Sequence, residues 1–162
     1  MALTNSESAN RPTVYLAGPV MSMDDGGAGW REDVEAYCGE ALETRNPLSK
    51  YNIPVDDIEI AADASHGGDA VVSVSEIVEN DKHLLAESDA VLVGYSQVHS
   101  IGTPMEVMWA YEREMPIVVW SRDDTPPGEM SPWYRYHADY MTPTLPIALH
   151  TLEQLATEGD DE

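Results

Sequence analysis

The chain has 162 residues, 43% of them hydrophobic, and a single cysteine, Cys38; that suffices for one ordinary domain with a core, and it excludes wholesale disorder and any internal disulfide. Thirty acidic residues face eight basic ones, only two of them lysines (Lys50 and Lys82), for a formal charge of -22. Such a field repels a nucleic-acid polymer, and no Lys/Arg cluster offsets it locally.

Residues 1–12 are polar, carry no apolar period and read as a disordered arm. Val14-Tyr15-Leu16-Ala17 is a short apolar run that stops at Gly18-Pro19, as a buried strand entering a tight loop does. A loop rich in Gly and Asp, Met21 to Gly29, leads into Trp30 to Leu42, where Trp30, Val34, Tyr37, Cys38, Ala41 and Leu42 recur at helical spacing. Pro47, Pro54 and Gly67-Gly68 mark 46–70 as an irregular connection with one short strand candidate around Ile58 to Ala62. Val74 to Glu87 suits a helix, through Val74, Ile77, Val78, Leu84 and Leu85, and Asp89 to Tyr95 suits a fully buried strand. Thr103 to Glu114 is the next helix and Pro116 to Trp120 the next buried strand. A loop at Pro126-Pro127-Gly128, a short segment from Trp133 to Met141, a helix from Leu145 to Ala156 and an acidic tail over 158–162 complete the chain.

Continuous apolar strands alternating with helices predict an α/β domain over 13–157: a Rossmann-like parallel sheet with helices on both faces. Ligands of such sheets sit at the carboxyl ends of the strands, here Gly18-Pro19, Tyr95 to Gly102, and the loop after Trp120. No apolar run approaches the ~20 residues that span a bilayer, and no charged-apolar-small leader opens the chain, so a soluble, cytoplasmic protein is expected. Cys38 sits in a helical pattern and reads as a packing residue. At molar salt the screening length falls to about 3 Å, so dense carboxylates stop repelling one another; the scarcity of lysine fits a salt-filled cytoplasm, as in a haloarchaeon or its virus.

Thr103-Pro104-Met105-Glu106 has the form of a capping box, in which Glu106 satisfies the Thr103 backbone N–H. The same placement, a carboxylate held ionised at a helix N-terminus beside a strand end, also suits a nucleophile. A glycosidic centre needs a second carboxyl group to move protons. Asp81 is the candidate: it lies ~12 Å of helix back from the start of the following strand, which rises ~20 Å, so it either shares one cleft with Glu106 or, as position alone favours, is one more solvated acid among thirty. Tyr15 either directs its hydroxyl toward Glu106 or packs as an ordinary strand aromatic. Gly18 either admits a sugar to the backbone or simply turns the chain. Ser100 and Ser131 are candidate donors to an anionic group, and His99 is the histidine expected near the cleft. The five histidines show no ligand spacing, so neither a metal nor a cofactor is expected. Gly26-Gly27-Ala28-Gly29 lacks the spacing and lysine of a phosphate-binding loop and reads as a flexible lip.

Taken in order, Val14-Tyr15-Leu16-Ala17-Gly18-Pro19, Trp30-Arg31, Asn80-Asp81, Ser88 to Val93 and Gly102-Thr103-Pro104-Met105-Glu106 resemble the nucleoside 2-deoxyribosyltransferase family over about residues 13 to 120. The resemblance implies a flavodoxin-like fold and a homodimer or larger homo-oligomer acting on a small nucleoside or nucleotide without a cofactor. It also implies cleavage of the N-glycosidic bond, with Glu106 as nucleophile, Asp81 as the proton-handling acid, Tyr15 positioning Glu106, and Gly18, Pro19, Gly102 and Thr103 around the substrate. Transferases of this kind tend to carry an acid six positions before the nucleophile, whereas the related nucleotide hydrolases tend to carry a serine. Here that position is Ser100, which leans toward a nucleoside 5′-monophosphate, since a hydroxyl donates to phosphate where a carboxylate repels it. Ser131, in the segment such proteins lend to the neighbouring subunit's site, leans the same way. The first loop, Ala17-Gly18-Pro19, lacks a serine that some nucleotide hydrolases have there, and hydrolysis and base transfer both stay open. The rival expectation is a nucleotide-sensing module in which Glu106 only caps its helix.

Overall fold

In the computed structural model the described residues are 11–20, 27–49, 59–61 and 71–160. Most of the expected N-terminal arm, the loop from Met21 to Gly26, and Asp161 and Glu162 of the expected tail lie outside them. The chain order is β1 (Thr13–Ala17), α1 (Ala28–Cys38), β2 (Glu43–Arg45), β3 (Glu59–Ala61), β4 (Val71–Ser73), α2 (Val74–Ala86), β5 (Ala90–Tyr95), α3 (Gly102–Glu112), β6 (Ile117–Ser121), a 3-10 turn (Pro127–Glu129), α4 (Pro132–His137), β7 (Tyr140–Thr142) and α5 (Leu145–Asp160). No helix among the described residues is long and apolar enough to cross a membrane.

Five strands form one wholly parallel sheet in the order β2-β1-β5-β6-β7. Within that sheet the sequence order is 2-1-3-4-5, the flavodoxin-like arrangement, and the chain changes direction between β1 and β5. β3 and β4 pair in parallel as a separate two-stranded sheet.

Alternation along the strands divides the core. Val14, Leu16, Ala90, Leu92 and Val118 pack beneath α1 and α5, against Trp30, Val34, Cys38, Ala148, Leu149 and Leu152. Tyr15, Ala17, Val91, Val93, Ile117 and Val119 face the opposite way, toward Leu85 of α2 and Val107 and Ala110 of α3. The period of two thus puts Tyr15 on the α3 side, with its residue wholly buried.

Two aspartates fasten the sheet. Asp89 donates its N–H to Thr13 O (2.7 Å) and accepts the Thr13 N–H on Oδ2 (2.8 Å); Asp139 makes the same pair of bonds with Ile117, at 2.7 and 2.8 Å. Each aspartate stands one residue before its own strand and holds the first residue of the neighbouring one.

Several expected boundaries move. Gly39 takes φ +57 and ends α1 after Cys38, so Leu42 belongs to the entry of β2 and Tyr37 is 60% exposed. The anticipated flexible lip is instead the start of α1: Gly27, at φ +80, precedes it and Ala28 and Gly29 form its first turn. Pro12 is tied to the sheet, since its carbonyl accepts from Glu43 N at 2.8 Å. α5 runs on to Asp160 through most of the expected tail. Cys38 is buried, and burial together with Glu35 pushes its thiol up to about 11, which leaves it an unreactive packing group.

Candidate active site

A cavity of about 570 Å³ opens at the switch point between β1 and β5, lined among others by Tyr15, Gly18, Arg31, Asp81, Ser100, Gly102, Thr103 and Glu106. That volume suits a small organic ligand. Tyr15 of β1, Gly18 just after it and the loop that follows β5 border it, as the parallel order requires, and α2 and α3 supply further walls.

Glu106 does not cap its helix. α3 begins at Gly102, one residue earlier than expected, so Glu106 falls in the second turn, out of reach of the Thr103 amide in a capping box. Ser100 takes the capping role: its Oγ accepts from Thr103 N (3.3 Å) and shares a hydrogen with Thr103 Oγ1 (2.7 Å). Glu106 turns inward, where the Tyr15 hydroxyl donates to its carboxylate. The expectation that the helix N-terminus keeps Glu106 ionised gives way to a stronger effect. Burial lifts its carboxyl to about 8, and Asp81 adds to the lift, while the Tyr15 hydrogen bond and Arg31 oppose it. Tyr15 itself is pushed far above its ordinary range by burial and by Glu106. Its hydroxyl therefore stays protonated and donates at any working pH.

Asp81 reaches the same cavity, as the helix and strand lengths anticipated. Its neighbours on the exposed side of α2 explain themselves here: Ile77, Val78 and Lys82 line the cavity too, so positions read from their periodicity as core are apolar wall. His99, the histidine expected near the cleft, also lines it. Pro19 is not among the lining residues; Gly18 and Val20 are, on either side of it. Ser131 also falls outside this cavity. It is exposed and caps α4, accepting from Trp133 N at 3.2 Å.

Gly18 is required for a reason other than a sugar. A Cβ there would lie 2.5 Å from Trp30 Cζ2, and one on Gly94 would lie 2.6 Å from Trp30 Cζ3. The Trp30 indole thus packs directly on the backbone of the two strands at the switch point, which accounts for both glycines.

Arg31 was quoted in the sequence only as part of a resemblance. It is 1% exposed, and its Nε, Nη1 and Nη2 donate to Leu16 O (3.3 Å), Gly27 O (2.8 Å) and Gly18 O (3.0 Å). The available signal was an arginine on the stripe Arg31-Val34-Cys38, which is otherwise the buried face of α1. Among the described residues no cluster of His, Cys, Asp and Glu is arranged to hold a metal ion.

No protein-family model and no curated protein sequence matches the chain. Similarity appears at the level of structure: a 2-deoxyribosyltransferase from the psychrotolerant bacterium Bacillus psychrosaccharolyticus superposes with a TM-score of 0.55 at 14% identity, over 79% of this chain and 84% of that one. That likeness establishes a shared fold: an α/β domain of the flavodoxin-like kind built on a five-stranded parallel sheet.

Proposed function

We propose that this protein cleaves the N-glycosidic bond of a nucleoside or nucleoside 5′-monophosphate through a covalent glycosyl intermediate on Glu106. The observation that carries the reading is the Tyr15 hydroxyl bonded to a partly buried Glu106 in a cavity that Asp81 also lines. The activity of the structural neighbour, a 2-deoxyribosyltransferase, agrees with it.

In the first step the ionised Glu106 carboxylate attacks the anomeric carbon from the face opposite the base. The C–N bond breaks, its electron pair moves to the base, and Asp81 supplies the proton that neutralises it. In the second step water, or a second base, attacks the same carbon. Asp81 takes the proton of the incoming group, and the Glu106 ester bond breaks to return the carboxylate. Two converging carboxyl groups favour a state with one of them protonated, and attack draws on the fraction of sites in which that proton has left Glu106. Tyr15 holds the nucleophilic oxygen in place and weakens as a donor partner only when Glu106 becomes an ester. No cofactor enters the scheme.

Ser100 is read as the group that meets the 5′ end of the sugar. Thr103 Oγ1 and Ser100 Oγ can each donate to the other, so with Thr103 donating, the Ser100 proton is available to a phosphate oxygen. Lys82 and His99 line the same cavity and supply positive charge or donors for an anion, which favours a nucleoside 5′-monophosphate. The sensing-module alternative rested on Glu106 as a helix cap, a role Ser100 fills. Second copies of the chain are expected to pair through the exposed apolar face of α3 and α4, bringing Ser131 toward a neighbour's cavity.

The deciding assay follows free base released from nucleosides and their 5′-monophosphates in molar salt, with and without an acceptor base. Glu106→Gln keeps the shape and the Tyr15 contact but removes the nucleophile, so base release falls by about a thousandfold or more. Faster release from monophosphates supports the Ser100 reading, and exchange of bases between nucleosides supports transfer. Absence of turnover by the parent on every such substrate sinks the enzymatic reading.

A further inference from the structure

Arg31 occupies a place that the fold alone disfavours. A guanidinium removed from water loses much of its hydration, and near the N-terminus of α1 it faces the positive end of the helix dipole. Burial brings its pKa down to about 10, which still leaves it charged at neutral pH. A Met or Leu on the same stripe would pack against Val34 at less cost, so packing does not account for the residue.

What the guanidinium touches does. Its three nitrogens reach the carbonyls of Leu16, at the end of β1, of Gly18, where the first loop leaves the strand, and of Gly27, where the chain enters α1. Gly27 is itself moulded to this contact: a Cβ there would stand 2.6 Å from Arg31 Nη1 and 2.4 Å from Pro19 O. Among the described residues the hydrogen-bond acceptors of the guanidinium are all neutral carbonyls, so backbone dipoles solvate the positive charge. Its field reaches Tyr15, Glu106 and Asp81, and Arg31 lines the same cavity as they do. Among the described residues it is the only lysine or arginine that is fully buried.

We propose that Arg31 is a positioning residue for this site: one guanidinium fastens both ends of the first loop to β1 and sets a buried positive charge beside the Tyr15–Glu106 pair. The groups that act on that pair come from every surrounding element. Tyr15 belongs to β1, Arg31 to α1, Asp81 to α2 and Tyr134 to α4, while Arg122, just after β6, acts on Arg31. Asp81 opposes ionisation of Glu106 and Arg31 favours it. Removing Arg31 takes away the positive charge that offsets the repulsion between the two carboxylates.

The inference rests on Glu106 as nucleophile, so the test reads Glu106 directly as well as through turnover. Carbon-13 NMR of glutamate-labelled protein, assigned by the signal lost in Glu106→Gln, follows its carboxyl in the resting protein. In Arg31→Met the midpoint is expected to rise by about one unit, and the acid limb of kcat/KM to move with it. Arg31→Lys keeps the charge but cannot serve three carbonyls at once; its midpoint stays near the parental value while KM rises about tenfold. A parental Glu106 midpoint in Arg31→Met overturns the role of Arg31 and leaves the nucleophile standing. Shifted midpoints in a parent that turns over no substrate overturn the nucleophile and leave the role of Arg31 standing. Where Arg31→Met does not fold, Arg31→Lys decides alone, and parental KM and kcat/KM in that variant overturn the proposal.

Discussion

Glu106 is costly to keep. Its carboxyl ionises near an ordinary 4.5 in the unfolded chain and near 8 in the fold. The sign follows from proton binding: between those values the folded protein holds a proton that the unfolded chain has released, so stability falls as pH rises from 4.5 to 8 and levels off above. Glu106→Gln removes that dependence while its carbonyl still accepts from Tyr15. Thermal melts at about pH 8 to 9 are therefore expected to show the variant more stable than the parent by up to about 5 kcal/mol, and near about pH 4 the two should converge. Activity runs the other way. Parental kcat/KM climbs roughly tenfold per pH unit toward a limb near 8, because only the ionised carboxylate attacks. A flat profile from about pH 6 to 9 would count against Glu106 as the group that titrates.

At the scale of elements, the paired bonds made by Asp89 and Asp139 set how strands meet. Asp89→Ala leaves the buried Thr13 N–H without its carboxylate and is expected to cost about 1–2 kcal/mol by chemical denaturation. No loss in the melt would mean that water replaces the side chain. β5 and β6 were legible as continuous apolar runs because both faces of their sheet are covered, and α3 and α5 were expected close to where they lie although α3 has almost no amphipathic period to announce it. β2 was not, since Glu43-Thr44-Arg45 carries no apolar signal and is a strand only because the edge of β1 offers it hydrogen bonds. The ends of α1 and α3 slipped for local reasons: the left-handed Gly39 stops one, and Ser100 caps the other earlier than the Thr-Pro pair suggested. Element lengths allowed Asp81 and Glu106 one cleft but favoured a solvated Asp81, and only the resemblance brought the two acids together. Arg31 was not assigned a role, because its partners are backbone carbonyls, which leave no trace in side-chain spacing.

Across the whole molecule the net charge and the apolar surface pull in opposite directions. Ile101, Met105, Tyr111, Trp133 and Tyr136 stand between 41% and 73% exposed on α3, its entry and α4, a face of the kind that marks an association surface. Two chains of charge -22 repel each other in dilute buffer, and screening removes that repulsion. Sedimentation velocity is therefore expected to show monomer at about 0.1 M KCl and a dimer or larger species at about 2 M, with Trp133→Glu remaining monomeric at both. A parent that stays monomeric at high salt would leave the face without a partner copy.

Among the described residues helix α2 buries Leu85 and packs Leu84 beside it against the sheet. Ile77 and Val78 instead line the cavity. Whatever enters the cavity meets those apolar side chains. A ligand seated there would extend the apolar layer beneath α2 outward, so the cavity wall and the core are one continuous surface.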